Sequence, residues 1–265
     1  MNTALRCMTI LLTALFVAGP ASPQTGSDAR KSLVIIDYQN KQNLRGNISM
    51  SMVWGEQFSP PEKYLRGFIH LGDAISRWTK IEVQIEKHMM LSSPRLQDMP
   101  FVYITTDKAF ELSKTERENV KEYLENGGFM VVENPTPRTE TSPAEASLKQ
   151  MVRDVLGSQA KFRPIPKDHP LYTIFWDFSD GPPNGAEIGT FNSSSLPEGP
   201  TRTLMPKQVL YLEGIWLKER LAVVYSNKGY IVRWTDMEDN IPQLKMGANL
   251  IVYALRQEGG LAIKQ

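Results

Sequence analysis

The clearest pattern in the chain lies between Phe101 and Pro135. Two continuous apolar runs, Phe101–Thr105 and Phe129–Val132, flank a charged amphipathic segment. Runs without polar alternation suit strands buried on both faces, so strand–helix–strand is predicted, with the two strands parallel. Ser113 is placed to cap the helix, Glu116 three residues on completes a capping box, and Leu112 occupies the staple position. Asn126-Gly127-Gly128 supplies the stop, because these residues tolerate a left-handed C-cap.

The same reading extends in both directions. Leu33–Tyr38 (LVIIDY) is continuous and apolar enough to predict a central strand. Residues Gln39 to Pro61 show no clear period and read as a long loop, with a hairpin or a short helix inside it as the alternative. Pro60-Pro61 opens a helix through Trp78, with Tyr64, Leu65, Phe68, Leu71, Ile75 and Trp78 on one face. Ile81–Ile85 alternates as a short strand. Beyond Pro135, Ala144–Leu156 is helical, while Phe162–Trp176 carries three prolines and must be largely irregular. Val209–Trp216 and Leu221–Tyr225 predict a hairpin, Tyr230–Trp234 a further strand, and Leu244–Leu255 a closing helix. Strands alternating with helices predict an open, doubly wound α/β sheet with helices on both faces and a C-terminal β-hairpin extension.

The N-terminus departs from this pattern. Arg6 precedes an apolar core, Cys7–Val17, and Gly19-Pro20-Ala21 offers small residues for cleavage. Residues 1–24 therefore read as a secretory signal peptide, too short in its apolar part for a stable membrane span after cleavage. An uncleaved anchor is the alternative. Residues 25–31 read as a flexible lead-in, 32–258 as a single α/β domain and 259–265 as a C-terminal tail. A periplasmic or secreted location in a bacterium is expected. Cys7 is the one cysteine, so the cleaved chain would lack disulfides, thiolate catalysis and cysteine-bound zinc.

Composition narrows the partners. Hydrophobic content of 41% and charged content of 22% are those of an ordinary globular protein. Lys+Arg 30 against Asp+Glu 29 leaves a net charge of +1, without the basic excess of a nucleic-acid binder. No phosphate-cradling glycine loop, dinucleotide fingerprint or zinc-hydrolase helix motif is present, so no cofactor or metal is expected.

Several pieces, in order and spacing, resemble a family catalogued as domain of unknown function 4159. They are Phe101–Thr105, Leu112-Ser113, Tyr123-Leu124, Gly127-Gly128-Phe129, Asp168-His169-Pro170-Leu171-Tyr172, Glu213-Gly214-Ile215, Arg220–Ser226, Asn249-Leu250 and Tyr253-Ala254-Leu255. The resemblance spans roughly Leu33 to Leu255. That family looks like a branch of the class I glutamine amidotransferase-like superfamily, which implies a flavodoxin-like open parallel sheet. The superfamily often places a catalytic cysteine after the strand that follows the Gly-Gly. Here the matching neighbourhood is Val132-Glu133-Asn134-Pro135, without a cysteine and with a proline that would alter the turn.

Candidate chemistry is confined to a few residues. His169 lies between prolines and beside Asp168, where it would serve as a general base or as a rigid loop-fixing residue. Asp37, Asp107 and Glu133 each follow an apolar strand, and strand carboxyl ends border the ligand crevice of an open α/β sheet. They would share one rim, or simply cap helices and meet solvent. Glu213 interrupts an apolar run, facing solvent or pairing with Arg220 or Arg233. Ser226 has no nucleophile-elbow pattern around it. Trp54, Trp176, Trp216 and Trp234 offer aromatic platforms for sugar rings or a partner's side chains, or else pack in the core. Catalytic candidates are thus Glu133, His169 and Glu213, and binding candidates Asp37, Asp107, Asn134, Asp168 and Trp234. The expected function is a non-catalytic module that binds an envelope protein or glycan. The alternative is a hydrolase, acting on carbohydrate through carboxylates and His169.

Overall fold

The computed structural model describes residues 32–35, 43–137, 141–186, 210–236 and 239–264. The expected leader and lead-in lie outside the described residues, as does Asp37. Among the described residues, no helix is long and apolar enough to cross a membrane.

The strand–helix–strand unit forms as its pattern predicts. Strand β4 (Phe101–Thr105) and strand β5 (Met130–Glu133) are buried along their whole length and pair in parallel. Between them runs α2 (Lys114–Glu125). Ser113 Oγ accepts from Glu116 N at 3.3 Å, and Glu116 Oε2 accepts from Ser113 N at 2.8 Å, completing the capping box. Gly127 turns the chain out of α2 at φ 111°.

The first strand of the parallel sheet is not the expected one. Strand β2 (Arg45–Met52) falls inside the segment read as a loop. Its sequence, RGNISMSM, alternates Ile48, Met50 and Met52 with Asn and Ser, too polar to stand out as a sheet strand. The fully buried Ser51 satisfies its hydroxyl by donating to Glu86 O at 2.9 Å. Strand β1 (Leu33–Ile35), expected to be central, instead pairs antiparallel with the start of β2. The more apolar run lost the central place because position in a sheet is set by pairing, which composition does not record.

Helix α1 (Glu62–Trp78) links β2 to the parallel strand β3 (Lys80–Glu86). Arg45 pairs with both Ile35 and Lys80, and Met50 with both Phe101 and Ile85. Hence β3 lines one side of β2, while β1 and β4 divide the other. After β5 come α3 (Pro143–Leu156), the two-residue strand β6 (Arg163–Pro164) and the hairpin β7 (Glu213–Leu217) and β8 (Arg220–Ser226). Lys218 and Glu219 both hold positive φ in its two-residue turn, the geometry that matches strand twist. Strand β8 lies parallel to β5, and β7 and β6 extend the sheet beyond it antiparallel. The parallel strands therefore stand in the spatial order β3-β2-β4-β5-β8. This is the 2-1-3-4-5 order of flavodoxin-like folds.

Tyr230–Trp234 is helix α4, not a strand. Its β-favouring composition yields to tertiary contacts: Ile231 N donates to Glu133 Oε2 at 2.7 Å. Helix α5 (Ile241–Arg256) follows, and β9 (Ile263–Lys264) returns to pair parallel with β1. Two apolar layers sandwich the sheet. Residues of α1, α4 and α5 fill one, and residues of α2 and α3 the other.

Candidate functional site

The carboxyl ends of β2, β4, β5 and β8 gather on one edge, where sheets of this order take ligands. Alternation along the strands points Tyr103, Thr105, Glu133 and Ser226 towards the α1 and α4 layer. Thr105, Glu133 and Ser226 stand in register across β4, β5 and β8. Glu133 is fully buried. Its carboxylate accepts from Ser226 Oγ at 2.6 Å, from Ile231 N at 2.7 Å and, at shorter range, from the Tyr103 hydroxyl. Burial pushes the Glu133 carboxyl up to about 7, against the opposing pull of these hydrogen bonds and one from the Tyr230 backbone. Burial, with the Glu133 charge behind it, also drives the Tyr103 hydroxyl far above its ordinary range.

Tyr64 completes this layer from above. Phe68 of α1 packs against Phe101 and Tyr103 with centroids 6.4 and 5.7 Å apart. Because α1 runs back against the strands, Tyr64 sits about 6 Å nearer the carboxyl edge, one helical turn away. Burial, with Asp107 and Glu133 adding to it, raises its hydroxyl to about 12. The buried hydroxyls of Tyr64 and Thr105 have no hydrogen-bond partner among the described residues.

Asn134 points to the opposite layer. Its Nδ2 donates to Asn227 Oδ1 at 2.8 Å and to Glu145 Oε2 at 3.3 Å. Tyr225 donates to Glu145 Oε1 at 3.2 Å, and Lys149 bridges Glu145 at 3.9 Å and Glu213 at 3.3 Å. The binding candidate Asn134 and the catalytic candidate Glu213 are thus tied together, with the sheet between them and the Glu133 carboxylate. The chain after β5 makes no sharp strand-to-helix elbow. Asn134 N continues the ladder to Ser226 O at 3.0 Å, and α3 begins only at Pro143.

His169 is remote from both clusters. Its Nδ1 accepts from Leu171 N at 3.2 Å, and its ring packs against Tyr253 and Trp216. Trp216 faces Leu221 at the far end of β8, five residues and about 16 Å along the strand from Ser226. No acid–base pair between His169 and Glu133 is possible across that span. Burial holds the imidazole below its ordinary value, with Asp168 opposing. Asp168 and Asp107 are exposed on loops. Trp234 is wholly buried against Tyr103 and Tyr230, with Nε1 donating to Gln243 O at 2.9 Å, so it offers no face to a ligand.

The switch point between β2 and β4 is filled by the chain itself. Phe58 and Phe110 pack with centroids 4.3 Å apart. Glu56 N donates to Glu116 Oε1 at 2.8 Å, and Ser113 Oγ to Glu56 Oε1 at 3.0 Å. Beside this seal a groove of 240 Å³ remains open, lined by Met52, Trp54, Pro60, Glu62, Leu65 and His88. Among the described residues no group of three or more His, Cys, Asp or Glu is placed to hold a metal ion.

Sequence reasoning missed Tyr103, Glu145, Lys149 and the role of His88. Glu145 carried a usable signal, since it follows Ser142 at capping-box spacing and precedes Lys149 by one turn. His88 carried none, because only the fold brings it against Trp54.

Residues 61–255, from the start of α1 to the end of α5, match the family described as Domain of unknown function (DUF4159). No curated protein matches the chain.

Proposed function

We propose that this chain, which belongs to the DUF4159 family, is a non-catalytic binding module of the bacterial envelope on a glutamine amidotransferase-like scaffold. The observation that carries this reading is the state of Glu133. Glu133, fully buried in the Tyr103–Ser226 layer, accepts hydrogen bonds from Tyr103, Ser226 and Ile231 and shows no surface to solvent. Its role is to join β4, β5, β8 and α4. The other catalytic candidates lie on the far side of the sheet or at its opposite end, so among the described residues no convergent acid, base and nucleophile forms. The strand end that carries the superfamily's cysteine holds Glu133 and Asn134 without an elbow. The apolar leader pattern of residues 1–24 supports export to the periplasm or beyond, and an envelope glycan or protein is the expected ligand.

One observation favours the hydrolase reading: a carboxyl raised to about 7 is poised for proton transfer at neutral pH. A substrate would reach it only if the layer that buries it opened. The purified chain, screened for turnover of chromogenic esters, amides and glycosides and for binding to glycan and peptide panels, separates the two. Saturable binding without turnover is expected. Turnover that disappears in Glu133→Gln would overturn the binding-module reading.

A further inference from the structure

We infer that the groove beside Trp54 is a site for the ring of a neutral carbohydrate. This rests on the binding-module reading and adds to it a place and a ligand class. The groove opens at the carboxyl end of β2, on the edge where open α/β sheets bind ligands. The neighbouring crevice is filled by Phe58 and Phe110, and the Trp54 groove lies open beside it.

The aromatic wall is set before any ligand arrives. Trp54 N donates to Met89 O and Leu91 N donates to Trp54 O, both at 2.8 Å, which fixes the backbone on both sides of the indole. His88 meets the indole edge-on, with centroids 4.7 Å apart and planes at 73°. It does so from φ 59°, a backbone conformation uncommon outside glycine. A rigid wall of this kind lowers the ordering cost of binding.

Charge and size select the guest. Glu62 on the rim disfavours an anion and offers its carboxylate as a hydrogen-bond acceptor to hydroxyl groups. A neutral, hydroxyl-bearing ring meets that rim without a charge clash and can donate to it. Its C–H face would lie on the apolar wall and its hydroxyls would donate to the Glu62 carboxylate. A volume of 240 Å³ is below the range of pockets for drug-sized ligands, about 300–1,000 Å³, and suits one ring, not an extended chain.

The test is titration calorimetry of the purified chain with maltotriose, chitotriose and a mixed-sequence peptide library. Saturable binding of at least one sugar is expected. Trp54→Ala should weaken it about tenfold or more, and Trp54→Phe and Glu62→Gln about threefold each. The Phe and Gln variants keep the ring and the exposed helix turn, so they report on binding even if Trp54→Ala misfolds. Equal affinity in the variants, or peptide binding with no sugar bound, overturns the inference and leaves the binding-module reading standing. Trp54-dependent binding accompanied by glycosidic turnover supports the groove and overturns the non-catalytic reading.

Discussion

Ser226 Oγ donates to Glu133 Oε1 at 2.6 Å, and the two residues face each other in the parallel register of β8 and β5. With Tyr103 on β4 and Ile231 on α4, this contact makes one carboxylate the meeting point of three strands and a helix. A buried, hydrogen-bonded carboxyl of this kind links folding to pH.

The sign follows from where each state holds its proton. The unfolded chain releases the Glu133 proton near 4.5, and the folded chain keeps it up to about 7. Between those values the folded state binds the extra proton, so stability falls as pH rises. The contribution is fully present below about 4.5 and lost as pH passes about 7, amounting to order 3 kcal/mol. Denaturant melts at pH 5 and pH 8 should show this loss in the native sequence and its disappearance in Glu133→Gln. Equal pH slopes would exclude Glu133 as the source. Tyr103→Phe and Ser226→Ala each remove a bond to the charged form, so each should cost about 1–2 kcal/mol and move the pH window upward.

Glu116 does more than cap α2. One carboxylate oxygen closes the capping box on Ser113 N and the other holds Glu56 N, both at 2.8 Å, with the side chain fully buried. Glu116→Ala would leave two backbone donors unanswered beneath the Phe58–Phe110 seal. A loss of about 2–4 kcal/mol is expected, read as a shift of the denaturation midpoint at constant slope. A loss within about 0.5 kcal/mol, as at an ordinary surface site, would show that the seal does not depend on this residue.

Two glycines with positive φ should respond differently to alanine. At Gly127, φ 111°, a Cβ would run into the backbone carbonyl of Gly259. At Gly157, φ 54°, a Cβ would meet nothing within 4 Å. With ψ at −127°, Gly157 lies outside the ordinary left-handed helical region, so Gly157→Ala should cost backbone strain alone, about 1–3 kcal/mol, while Gly127→Ala adds a steric clash and should cost more. Thermal melts of the two variants compare them directly.

The local architecture was legible because local physics dictates it. Ser113, Glu116 and Gly127 bound α2 through contacts within a few residues, and the apolar runs of β4 and β5 announce burial on both faces. The hairpin turn at Lys218-Glu219 and the long amphipathic helices were readable for the same reason. What depends on partners far along the chain was not. Strand β2 was hidden by serines whose polar groups are satisfied only by other segments, such as Ser51 on Glu86 O. Helix α4 was hidden because its first turn is anchored on Glu133, 98 positions away.

The candidate site divides in the same way. Sequence alone determined that an acid and an amide, Glu133 and Asn134, end the strand after Gly127-Gly128, with no cysteine to act there. Only the tertiary structure decided what those groups do. Successive residues of a strand point to opposite faces, so Glu133 enters the Tyr103–Ser226 layer while Asn134 joins Glu145 on the other side. It likewise kept His169 at the far end of β8 and set His88 against Trp54, because distance in space is fixed by strand order and register, and neither is written in spacing along the chain.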